Sequence, residues 1–428
     1  MFSLVMTTLI IALALIPSRF SHAFQIHIYE HGYNLNYILV GCICISLLLT
    51  LVKRGSSSNI RLRIFPLNLI APLIIATPLL SYLINGSHEA YTLGAFLKGY
   101  ITLLLPFSVF YLFINLRIKP REIYNLLHAF VFLSILVALL GIAVAVFALR
   151  NLNILGWSHV TGVVNMSLMR AATPVGGGGM TAIFLAMIFP FVVANMIITK
   201  RISRKILYAF ALVFLFSSII LCQSRAPIIS LIVSSLIMMI CCKTKVSLPY
   251  ILILIATYSL MLTMMWRNFE LSRLVSYSKD SDSLRFESIK RGFEVFSYDM
   301  LFGSGMGQVF PRDNYSASEK ILVYKGNISA RDPHNFYVLL LSEAGLFGIG
   351  LFFVFMYFMF RLFTKRDVRS KVCNVKSHGY YFCLSIMIFL IFSFFSSSLA
   401  LVIKVSTTFW LISGLGVHYL NCRKLVKR

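Results

Sequence analysis

His334-Asn335, followed by nine residues and then Gly345-x-x-Gly348, closes the largest hydrophilic segment of the chain and opens an apolar run. An imidazole at that place can exchange protons while facing substrates anchored in lipid. Asn335 has two readings, a group that orients a substrate or the cap of the helix that follows. Arg225, in Gln223-Ser224-Arg225-Ala226-Pro227, sits between two apolar runs. A guanidinium so near hydrocarbon is costly unless paired, so it reads either as functional or as snorkelling to headgroups. Its planar fork makes two charge-assisted hydrogen bonds to phosphate and keeps its proton. Arg285 invites the same reading, and Arg170 and Lys98 are further candidates of this type. Glu343 and Lys404 are single ionisable residues inside apolar runs; they pair with each other, or Glu343 faces His334 as a proton partner.

These residues need apolar helices to hold them. The 428 residues are 59% hydrophobic and 12% charged, with a mean hydropathy of +0.85, which excludes a soluble globular protein. The segments are too long for barrel strands, and lipid tolerates no unpaired backbone, so the expected class is all-α and polytopic. Twelve spans are expected, near 3–17, 35–52, 65–84, 98–116, 123–147, 178–198, 206–222, 226–242, 249–266, 336–360, 380–398 and 400–420. A large loop, 267–335, divides the chain into 1–266 with nine spans and 336–428 with three spans and a tail.

The net charge of +25 is of the kind that binds nucleic acid, but 23 of the 39 basic residues fall in alternate connections. Lys53 and Arg54, Lys119 and Arg121, Lys200 to Lys205, and Arg361 to Lys376 belong to this set. The other short connections carry few. This is the positive-inside pattern; it puts both termini in the cytoplasm and loop 267–335 outside, and no nucleic-acid partner is expected. Ser21-His22-Ala23 resembles a signal cleavage site, yet no basic stretch precedes the apolar run, so an uncleaved first span is expected. The eight cysteines lie in spans or on the cytoplasmic side, which argues against a disulfide framework.

Loop 267–335 carries ten basic and nine acidic residues. A helix is expected over Ser283 to Tyr298, capped by Ser281 or Asp282, with Phe286, Ile289, Phe293 and Phe296 on one face. It would lie along the membrane surface with Arg285 beside its apolar stripe. A glycine-rich turn, Gly303-x-Gly305-x-Gly307, follows. Without a strand–turn–helix unit or a Gly-Lys-Ser/Thr run, it supports no nucleotide site. Before the sixth span, Gly176 to Gly179 allow close backbone approach to a ligand. His22, His27 and His31 read as a solvated loop, not a metal cluster.

Three of these pieces together resemble the O-antigen ligase superfamily, which includes related O-antigen and exopolysaccharide polymerases. They are His334-Asn335-x9-Gly345-x-x-Gly348, Ser224-Arg225-Ala226, and Arg285 followed by Leu301-Phe302-Gly303-x-Gly305-x-Gly307. Asp299-Met300 stands where that family often has proline. The resemblance is detailed over about residues 220–360 and does not separate ligase from polymerase.

It implies a membrane glycosyltransferase acting on a glycan carried by undecaprenyl diphosphate, with lipid A–core or a second lipid-linked glycan as acceptor. The implied fold is related to the large helical membrane glycosyltransferases, in the bacterial inner membrane, with a periplasmic loop of short helices over the site. His334 would be the base, Arg225 and Arg285 the diphosphate cations, and no metal or nucleotide is expected. A secondary transporter is the alternative from another class. Transporters gather polar groups at the midplane of inverted halves, whereas here they gather at one face.

Overall fold

A computed structural model of the chain describes residues 2–16, 26–28, 31–33, 35–54, 58–85, 93–116, 118–146, 173–222, 224–242, 271–307, 322–324, 327–329, 333–364, 378–397 and 402–422. The described residues form twelve helices. They are α1 (Phe2–Leu15), α2 (Leu35–Arg54), α3 (Ser58–Asn85), α4 (Leu93–Asn115), α5 (Pro120–Val146), α6 (Gly178–Ile198), α7 (Ile202–Leu221), α8 (Arg225–Cys242), α9 (Leu271–Tyr298), α10 (Phe336–Thr364), α11 (His378–Phe392) and α12 (Ile403–Cys422). Two antiparallel pairs of three-residue strands complete them: β1 (Ile26–Ile28) with β2 (His31–Tyr33), and β3 (Leu322–Tyr324) with β4 (Asn327–Ser329).

Seven of these helices are long and apolar enough to cross a membrane, and three shorter apolar helices accompany them. The protein is therefore an all-helical, multi-pass membrane protein. Eleven helices coincide with expected spans. The expected span at 249–266 lies outside the described residues. α9 is the one helix of loop 267–335 among the described residues, and it corrects two expectations. At 28 residues it is not short, and it starts at Leu271, so Ser281 and Asp282 lie inside it and cap nothing. No proline interrupts Leu271 to Tyr298, and polar side chains alone do not end a helix.

Side-chain contacts decide which helix ends lie together. α11 runs antiparallel to α6: His378 Nε2 lies 3.5 Å from Asn195 Oδ1, the Phe382 ring packs on Phe191, and Ser385 donates to Met187 O. α11 is likewise antiparallel to α12, with Phe389 stacked on Phe409 and Phe382 beside Tyr419. α4 and α12 run parallel, Phe107 meeting Trp410 and Phe113 meeting His418. α2 joins them through Tyr37 and Thr102, whose hydroxyls are 2.8 Å apart. At one end of the bundle, then, α2, α4, α6, α10 and α12 begin and α11 finishes. The opposite end holds Tyr124 against His378 and Tyr419, close to Lys119 and Arg121. Lys53, Arg54, Arg201 and Lys205 follow or precede helix termini of that same end.

The most consequential local feature is a break in α10. Gly345 adopts φ +65° inside the helix, which uncouples four backbone groups from the helical ladder. The glycine-rich turn after α9 takes them up. The amides of Leu346 and Phe347 donate to Met300 O (2.8 Å) and Leu301 O (3.0 Å), while Ser304 N and Gly305 N donate to Ser342 O (2.9 Å) and Glu343 O (3.0 Å). A Cβ on Gly303 would come within 2.5 Å of the Glu343 carbonyl carbon, and one on Gly345 would collide with Leu301 O. Replacing Gly345 with alanine is expected to cost at least about 2 kcal/mol, from left-handed strain and the collision together. Gly350→Ala in the same helix meets nothing within 4 Å and should stay within about 1 kcal/mol of the parent. Thermal unfolding in detergent compares the two.

Candidate functional site

The end of the bundle where α10 begins carries the residues singled out from the sequence. Pro333 is buried and His334 is exposed at the helix entry. His334 has φ +50°, and it is the one non-glycine residue with positive φ among the described residues. Such a backbone costs about 1–3 kcal/mol and persists where its surroundings over-determine it.

The surroundings are legible. Asn335 Oδ1 accepts from Tyr337 N (2.9 Å) and Val338 N (3.1 Å), the amides that an N-cap satisfies. Asn335 Nδ2 donates to Phe394 O (3.0 Å), just past the end of α11. Phe336 N donates to Ser393 O (2.9 Å), and Tyr337 OH to Leu390 O (2.9 Å). Of the two readings of Asn335, the cap is present, and the amide also pins the helix start to the loop after α11.

Arg225 is the first residue of α8 and is exposed. Its neighbour Ser224 stands against the start of α6, since a Cβ on Gly179 would lie 3.6 Å from Ser224 Oγ. Because α6 begins where α11 finishes, and α11 finishes at Phe336, Arg225 and His334 share one end of the bundle. The turn before α6 is built by Thr173, whose backbone bridges Gly176 and whose Oγ1 is 2.9 Å from Thr181 Oγ1. Lys404 Nζ donates to Pro174 O in that turn and to Ile16 O after α1.

Arg285 is exposed on α9. α9 turns Ser288, Gly292 and Val295 inward, and Gly292 is so tightly placed that a Cβ would come 2.5 Å from Val338 Cγ1 and 3.7 Å from Pro333 Cβ. Seven residues separate Arg285 from Gly292, so both share a helix face, about 10 Å apart along the axis. The face of α9 that bears Arg285 is thus the face packed beside His334. Lys98 is buried in the second turn of α4, at the same end of the bundle. Arg170 lies outside the described residues.

Two open points about ionisable residues acquire partners. Glu343 Oε1 accepts from Gly307 N at 2.9 Å, closing the glycine turn onto α10. It is 1% exposed, turned to the glycine-rich turn. Lys404 finds backbone carbonyls, as above. Sequence reasoning also missed Ser81, whose Oγ donates to Gly303 O (3.3 Å) and Glu343 O (3.4 Å), because a lone serine in an apolar run carries no signal. Among the described residues no three His, Cys, Asp or Glu side chains gather as metal ligands. Beside Phe336 and Met306 lies an apolar pocket, lined also by Thr77, Leu103, Phe107 and Trp410.

Residues 210–353 match the family model described as O-antigen ligase. Over that segment the match supports the resemblance to the O-antigen ligase superfamily. The matched stretch holds Arg225, Arg285, the glycine turn, His334, Asn335 and the break at Gly345; Lys98 and Arg170 fall outside it. A comparison with curated proteins finds no match.

Asn335→Ala removes the cap and the tie to Phe394 together, and should cost about 1–2 kcal/mol of stability. Asn335→Asp keeps an acceptor for Tyr337 N and Val338 N and should recover about half of that loss. Parallel melting curves of the purified variants test the order.

Proposed function

We propose that the protein is an O-antigen ligase, transferring a glycan from undecaprenyl diphosphate to lipid A–core. The observation that carries this reading is that the family match contains His334, Arg225 and Arg285, with His334 and Arg225 at helix starts on one end of the bundle and Arg285 on the helix that packs against Val338. A polymerase of the same superfamily is the second reading, because the match covers both kinds of enzyme.

The chemistry follows from the residue types. The acceptor hydroxyl attacks the anomeric carbon, forming the new C–O bond as the bond to the diphosphate oxygen breaks. The electron pair leaves with the diphosphate, and the hydroxyl proton passes to the His334 imidazole. Charge developing on the leaving diphosphate is met by guanidinium groups, Arg225 from α8 and Arg285 from α9. Lys98 and Arg170 are further candidates for binding it. A single displacement inverts the anomeric configuration. The glycosyl–diphosphate bond already stores the driving force, so ATP has no role. The apolar cavity beside Phe336 suits a hydrocarbon chain whose diphosphate head reaches the helix ends above it.

This reading takes the arginine- and lysine-rich end as cytoplasmic and the histidine end as periplasmic, in the bacterial inner membrane. It completes twelve spans with 249–266, leaves loop 267–335 outside, and divides the chain into 1–266, 267–335 and 336–428. Asn335 then serves beside the substrate chiefly by holding His334.

His334→Ala is expected to lower transfer at least about 100-fold, and Arg225→Ala by a similar factor. The measurement is glycan transfer to core by purified variants in lipid, with protein amount matched. Full activity of His334→Ala would defeat the assignment. In cells lacking the protein, bare core with retained lipid-linked polymer marks a ligase. Core bearing a single repeat marks a polymerase, and an unchanged ladder argues against both.

A further inference from the structure

α10 exposes a stripe of Leu346, Phe347, Phe353, Val354 and Tyr357, spaced as one helix face within the span Phe336–Phe363. Exposed apolar residues at that spacing on a membrane helix face lipid. Toward the helix start, beyond the break at Gly345, the exposed stripe gives way to Glu343 and Leu339. There the pattern stops: Glu343 is 1% exposed and Leu339 is fully buried. Something else occupies the place that lipid occupies further along.

The occupant is the glycine turn together with the second half of α9. Gly307 N reaches the Glu343 carboxylate, and Gly305 N the Glu343 carbonyl. Gly292 of α9 closes on Val338 one turn from the helix start. A carboxylate facing lipid would be expensive, and this cover keeps Glu343 from it.

The turn also stands at the height of span residues. Met300 O and Leu301 O accept from the amides of Leu346 and Phe347, which themselves belong to the lipid-facing stripe. The Phe302 ring lies 5.8 Å from the Phe347 ring. The turn nevertheless leaves its own apolar side chains open, with Met300 exposed and Leu301 65% exposed. Phe286, at 73%, and Phe293 continue the apolar strip along α9. Lys290 stands between these two phenylalanines, where an ammonium on a flexible stem meets lipid phosphate. Glu287, Arg291 and Glu294 occupy a separate face, with Arg291 paired to Glu287.

We infer that the segment from Phe286 to Leu301 is inserted in the leaflet at the histidine end of the bundle. The turn carrying Met300 and Leu301 lies in hydrocarbon against α10, and α9 rests at headgroup level on Phe286 and Phe293. Its partner is the bilayer, because the apolar strip is continuous with the lipid-facing stripe of a span. The inference stands apart from the proposed enzymatic activity.

The test uses the full chain in nanodiscs made from lipid brominated at mid-chain or from the unbrominated lipid. Leu301→Trp and Phe293→Trp are compared with the parent, and the added emission is read above that of Trp157, Trp266 and Trp410. Brominated lipid should quench the added emission of Leu301→Trp roughly twofold or more, with iodide ineffective. Glu294→Trp, on the charged face, should respond to iodide and little to bromine. Met300→Trp substitutes for Leu301→Trp if that variant fails to fold. Emission at 300 or 301 that iodide quenches and bromine does not would put the turn in water and overturn the inference. Emission shielded from both quenchers would mean a protein surface covers the strip, and would overturn it equally.

Discussion

Everything at the histidine end depends on the backbone groups set free where α10 breaks at Gly345. A helix interrupted inside a membrane protein must return its orphaned amides and carbonyls to partners, since hydrocarbon offers none. Here the partners come from one turn about forty residues earlier in the chain. Four backbone hydrogen bonds and the Glu343–Gly307 contact lock that turn in place. Because the turn follows directly from α9, and α9 also closes on Val338 through Gly292, α9 is gripped at two points by the helix that carries His334. The arginine of α9 and the histidine of α10 are thereby parts of one unit.

His334 itself is held by a second set of constraints. Its left-handed backbone is bracketed by Pro333 and by Asn335, whose amide is engaged at both ends. The tie to Phe394 transmits the position of α11, and α11 is registered against α6 by the His378, Phe382 and Ser385 contacts. The start of α6 in turn touches Ser224, next to Arg225. A continuous chain of contacts therefore connects Asn335, next to His334, with Ser224, next to Arg225, through elements far apart in sequence. In the proposed reading, this lets a base and a phosphate-binding cation be delivered by separate rigid helices to a substrate between them.

Much of this was legible in the residues. Apolar runs bounded by charge mark the helices because a polar residue in hydrocarbon is costly, so α10 starts at Phe336 and α8 at Arg225, close to where hydropathy puts them. The chemical types at His334 and Arg225 were equally readable, since an imidazole or a guanidinium beside an apolar run is uncommon. The start of α9 was not. Ser281 and Asp282 look like caps, yet capping is a preference that neighbouring helical residues override. The separate attachments of Glu343 and Lys404 were also hidden, because each depends on a carbonyl or amide supplied by a distant segment.

The amino-acid sequence alone determined that this chain is a bundle of membrane helices, with its basic residues sorted into alternate connections and its reactive types near one boundary. Those properties follow from local transfer energies, which each segment feels by itself. Only the tertiary structure decided that Gly303, Gly305, Gly307 and Gly345 form a single joint, that Asn335 is engaged at both ends, and that Glu343 is covered. Each of these is a pairing between backbone groups remote in the chain, and nothing in the local composition of either partner specifies the other.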